Sequence, residues 1–165
     1  MDWRRQIAQL EIQPVSSLDR PLLAIVSDLA GDRDHARTRQ FADLLANQSH
    51  PQQITELVAL LGIRDKAIQR AAAHLVGEVS DHNPNLFLPH LDTLVACVRS
   101  GSGPVVWESL HVLVQVAVAN PRAVEPYLET FIAAVDGPSI VARDHAVRIL
   151  ARLASIKEIR SRVLA

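Results

Sequence analysis

Apolar residues recur along most of the chain at intervals of three and four, the spacing of one face of an α-helix. Leu91, Leu94, Val95 and Val98 form one such stripe. Ala73, Val76, Gly77 and Ser80 form another, in which small side chains allow close helix approach. Breakers separate the stripes: Gly31-Asp32, Gly62, Gly101-Ser102-Gly103-Pro104 and Gly137-Pro138. Asn83-Pro84 and Asn120-Pro121 read as an N-cap followed by proline at the first helical position. Pro89 and Pro126 fall inside helical stretches and are expected to bend them. β-branched residues do not alternate with polar ones, and aromatics make up only 4% of the chain. A sandwich or barrel therefore has little support, and the pattern predicts an all-α protein.

The pattern also repeats. Leu88-Pro89-His90-Leu91-Asp92-Thr93-Leu94-Val95 matches Glu125-Pro126-Tyr127-Leu128-Glu129-Thr130-Phe131-Ile132 at an offset of 37 residues. The same frame fits Pro21, with Leu23 and Val26 behind it, and Gln52, with Ile54, Leu57 and Val58. A second segment follows each anchor. Arg39, Arg70, Trp107 and Arg143 share one column, and Ala42, Ala73, Leu110 and Ala146 share the column three residues on. Asp34 and Asp65 precede Arg39 and Arg70 by five residues. Each unit reads as two helices, with second helices centred near Asp43, His74, His111 and Val147.

These columns resemble HEAT repeats, helix pairs with a proline in the first helix, an Asp near the turn, an Arg early in the second helix and an Ala three residues later. Pro89, Asp65, Arg70 and Ala73 illustrate them. The departures are Gln52 in place of Pro, Trp107 in place of Arg, and no Asp in the third and fourth turns. The resemblance implies a right-handed α-α superhelix of about four helix pairs. The chain then forms a single domain over 1–165, with repeats at about 16–49, 50–82, 83–120 and 121–155. Trp3, Ile7 and Leu10 mark an N-terminal cap helix within 1–13. Ile156, Ile159 and Val163 mark a C-terminal cap within 156–165. The resemblance further implies that Asp34/Arg39 and Asp65/Arg70 form an ionic ladder between units. It also places the second helices on a concave face.

Composition narrows the field. Hydrophobic residues make up 48% of 165 residues, which argues against disorder. The formal charge of -1 argues against a bulk nucleic-acid binder. One cysteine, Cys97, rules out an internal disulfide framework and suggests a reducing compartment. No signal peptide and no transmembrane run is visible, so a cytoplasmic protein without membrane contact is expected.

Candidate chemistry is sparse. His74 and His111 share a column, yet a zinc between them needs a third ligand that the pattern does not supply. Both are read as ordinary exposed histidines, and neither metal nor cofactor is expected. HEAT-like enzymes that bind iron use His-Glu dipeptides, and this chain has none. Cys97 occupies a core-like column with Leu29, Leu60 and Ala134. No Gly-x-Ser-x-Gly elbow or Walker-type loop occurs.

Two surfaces remain as binding candidates. The stripe of Gln40, Asp43, Asn47, His74, Glu78, Glu108, His111 and Gln115 is polar and slightly acidic, suited to a basic peptide or helix. Trp107 beside it either fills volume against the fourth unit or offers an anchor to a partner. The second surface is the C-terminal end. Residues 141–165 carry +4, and Arg148, Arg152, Lys157, Arg160 and Arg162 form a basic patch able to meet phosphate or an acidic protein. The resulting expectation is a non-catalytic protein–protein interaction scaffold, adaptor or regulatory subunit. The alternatives are a nucleic-acid-binding protein similar to the HEAT-like alkylation-repair glycosylases, or a subunit similar to the HEAT-like bilin lyases.

Overall fold

The structure is a computed structural model that describes residues 20–33, 35–48 and 51–164. The cap helix expected within 1–13 and the Asp34 side chain lie outside the described residues. In chain order the helices are α1 (Leu22–Leu29), α2 (Ala36–Gln48), α3 (Pro51–Ala59), α4 (Lys66–His82) and α5 (Leu91–Cys97). Then come α6 (Gly103–Ala119), α7 (Pro121–Val124), α8 (Leu128–Val135), α9 (Ile140–Ala154) and α10 (Lys157–Val163). Tight 3-10 segments at Leu60–Gly62, Pro84–His90 and Glu125–Tyr127 join some of them. The described residues contain no strand, and no helix among them is long and apolar enough to cross a membrane.

Local chemistry sets the helix ends. Asp65 caps α4, its Oδ1 accepting from the backbone N–H of Ala67 at 2.9 Å and Ile68 at 3.1 Å. Ser139 caps α9 through a 3.2 Å bond from Ala142 N–H. For α2 the acceptor is Asp32, which takes both the N–H and the hydroxyl of Thr38 at 2.9 and 3.0 Å. Asn83 and Asn120 occupy N-cap positions ahead of Pro84 and Pro121, but neither side chain caps its helix. The Asn83 amide instead donates to the Ala46 carbonyl at 3.4 Å, tying the end of α4 to α2. The bend expected at Pro89 and Pro126 takes the form of 3-10 turns ahead of α5 and α8, since proline lacks the N–H that a continuous α-helix requires.

The longer helices α2, α4, α6 and α9 pack in succession, each against the next. α1 and α3 lie against each other and against α4, α5 lies against α6, and α8 and α10 lie against α9. Ala42, Ala73, Leu110 and Ala146 are fully buried along this row, and three of the four are small enough to let the backbones approach. Phe41, Phe87 and Phe131, all the phenylalanines of the chain, are fully buried too. Leu94 and Leu113 are also fully buried. One expected core position fails. Leu23 is 48% exposed, because α1 starts immediately after Pro21 and turns Leu22, Ile25, Val26 and Leu29 inward instead. At the C-terminal end Ile159 is buried, with Ile156 and Val163 packed beside it.

Candidate functional site

The second-helix face is built from α2, α4, α6 and α9, and polar bonds cross the seams between them. His74 of α4 places Nδ1 3.3 Å from Glu108 Oε1 on α6, and Nε2 3.5 Å from Glu78 Oε1 one turn along its own helix. Its ring meets that of His35 at a centroid distance of 4.2 Å. His35 precedes α2 in the left-handed region at φ 58°. Gly77 leaves room for the arrangement: a β-carbon there would collide with the Glu108 carboxylate. The hydrogen bond to Glu108 raises the imidazole pKa above 6.5; burial opposes the shift, Glu108 and Glu78 charges support it, and Arg39 opposes it.

Further rungs follow. Asp81 Oδ1 lies 2.6 Å from His111 Nε2 and accepts from the Gln115 amide at 2.8 Å, so two residues of α6 grip one carboxylate of α4. The His111 ring lies 6.1 Å from that of His145 on α9. Across the α2–α4 seam, His82 Nδ1 lies 3.8 Å from Asp43 Oδ1, which also accepts from Asn47 at 2.9 Å. Polar links also join other elements. Tyr127 donates to Asp92 Oδ1 at 2.6 Å, and Arg122–Glu158 and Arg162–Glu125 each lie at 3.4 Å.

This geometry corrects several expectations. Glu108, not His111, stands opposite His74. The column partners His74 and His111 are 37 residues apart, whereas the contacts His74–Glu108 and Asp81–Gln115 span 34, because neighbouring helices are offset along their axes. His74 and His111 are accordingly half-buried and paired rather than exposed. Asp65 is a helix cap, and among the described residues no ion pair joins it to the exposed Arg70. Gln40 is exposed. Trp107 does not fill an interior volume. It is 45% exposed, with its ring lying over Gly103. Cys97 is half-buried against the core, and burial pushes its thiol pKa up.

The basic end is partly neutralised. Arg148 lies 3.0 Å from Asp144, Arg162 reaches Glu125, and Arg160 donates to the Ala154 carbonyl at 2.9 Å, leaving Arg152 and Lys157 exposed. Sequence reasoning missed Asp81, His35, His82 and His145. The 34-residue offset would have aligned His74 with Glu108, Asp81 with Gln115 and His111 with His145. Among the described residues no group of three or more His, Cys, Asp or Glu side chains is placed to hold a metal ion.

No protein-family model matches the chain. No curated protein matches it either. Among solved structures, it is similar to an engineered protein whose crystal structure was determined by the Northeast Structural Genomics Consortium. The TM-score is 0.56 at 18% identity, with 81% of this chain covered. The match spans 62% of the engineered chain's length. A likeness at that identity concerns the fold alone.

Proposed function

We propose that this is a HEAT-like helical-repeat protein that binds a protein partner and catalyses no reaction. In this reading the row α2, α4, α6 and α9 forms the inner layer of a right-handed superhelix, and its face is the docking surface. The observation that carries the reading is Trp107. A large aromatic, 45% exposed, stands beside polar groups that are bonded across the α4–α6 seam. An exposed indole on a pre-ordered surface has the character of an interface hot spot, since little conformational freedom is lost when a partner covers it.

The test is affinity capture from a native lysate, with and without nuclease. A stoichiometric protein retained after nuclease treatment supports the proposal. Recovery that disappears with nuclease contradicts it.

A further inference from the structure

We infer that the segment docking beside Trp107 is an acidic peptide whose carboxylates meet Lys66 and Arg70; this deepens the protein-binding reading above and rests on it. A cleft of about 240 Å³ opens where α4 and α6 begin, lined by Lys66, Gln69, Arg70, Gly101, Ser102 and Pro104. Gln69 is already engaged: its amide donates to the Leu61 carbonyl at 2.8 Å, and its carbonyl accepts from Lys66 at 3.1 Å. Lys66 retains further N–H donors, and among the described residues neither it nor Arg70 pairs with a carboxylate. The adjacent acid, Asp65, turns its Oδ1 to two backbone N–H groups of its own helix. The Trp107 ring lies against Gly103, which sits in the chain between the cleft residues Ser102 and Pro104.

The charges elsewhere point the same way. Arg64, Arg99 and Arg143 are also exposed, in the turns before α4 and α6 and in the first turn of α9. The carboxylates of the face are held internally: Glu108 and Glu78 by His74, Asp81 by His111, and Asp144 by Arg148. A basic segment, the partner suggested by the polar stripe in the sequence, meets carboxylates there that already have internal partners. An acidic segment meets cations that no carboxylate occupies, so complementarity favours it.

The test is fluorescence anisotropy at low salt with short labelled peptides of three kinds: Glu/Asp-rich with a central leucine, Lys/Arg-rich with the same leucine, and Ser/Gly-based. The acidic peptide is expected to bind in preference, and added salt to weaken it steeply. The double variant Lys66→Glu with Arg70→Glu, checked for helicity by circular dichroism, is expected to lose at least about tenfold in affinity. Trp107→Ala is expected to weaken binding without removing its salt dependence. Preference for the basic or neutral peptide, or no binding of the acidic peptide above these two, overturns the acidic assignment. If such preferred binding is still weakened by Trp107→Ala, the docking surface stands and only its partner chemistry falls. Binding of every peptide that ignores Trp107→Ala overturns the surface itself.

Discussion

Glu108 reaches from α6 to His74 on α4, its Oε1 3.3 Å from the imidazole Nδ1, through space that Gly77 leaves open. The pair ties two successive helices together, and it holds the His74 pKa above its ordinary value. The folded-state pKa of His74 is raised, chiefly by the bond to Glu108, with Glu78 assisting and Arg39 opposing from α2. Its contribution to stability is therefore complete below the ordinary value of 6.5 and fades as pH rises through the folded value. The stability advantage of wild type over Glu108→Gln, read from urea midpoints between about pH 5.5 and 8, is expected to shrink as pH rises. An equally steep profile in the variant contradicts the assignment.

Gly77→Ala separates backbone effects from this contact. Alanine favours an interior helical position by about 1 kcal/mol, so the substitution stabilises α4 in isolation. Its methyl group also displaces the Glu108 carboxylate. The expected result is a small net change in stability together with loss of the part of the pH dependence that comes from the His74–Glu108 bond. Retention of the wild-type pH profile shows that Glu108 does not hold its place through that gap.

Leu94→Ala and Leu113→Ala each remove a fully buried side chain from the middle of the row. Each is expected to cost about 2–5 kcal/mol in chemical denaturation. Trp107→Ala, at a half-exposed position, is expected to cost less than either. A loss of similar size for Trp107 places that ring in the core rather than at the surface.

Tyr127 is the chain's one tyrosine, and its hydroxyl donates to Asp92 Oδ1 at 2.6 Å. That bond, with burial and the Asp92 charge, pushes its pKa from 10.0 up to about 12. Spectrophotometric titration is expected to show little tyrosinate at pH about 10, and Asp92→Asn to bring the transition down. Half-ionisation near pH 10 in the wild-type protein contradicts the bond.

Much of the helical core was readable because burial repeats every 3.6 residues along each helix. Ala73, Val76 and Gly77 on α4 and Leu110 and Leu113 on α6 lie where that period puts them. Leu23 escaped because one residue of difference in where a helix starts rotates the whole stripe. The bonds of the site were hidden for a related reason. Periodicity defines which face of a helix turns inward, but not how far that helix slides along its neighbour. A slide of three residues replaces His111 by Glu108 as the partner of His74, turning an apparent histidine pair into an ion pair. Trp107 was visible as an oddity in its column. Its exposure depends on Gly103 and the turn before α6, which the repeat pattern does not specify.

In the proposed reading Trp107 anchors a protein partner on the α4–α6–α9 face. The most direct test is the affinity of the captured partner for wild-type protein, for Trp107→Ala, and for Arg148→Glu combined with Arg152→Glu, with helicity and urea midpoint checked for each. Trp107→Ala is predicted to weaken binding at least about thirtyfold, the range of a hot-spot truncation, and the arginine pair to change it little. Unchanged affinity for Trp107→Ala, or a loss confined to the arginine pair, contradicts the claim.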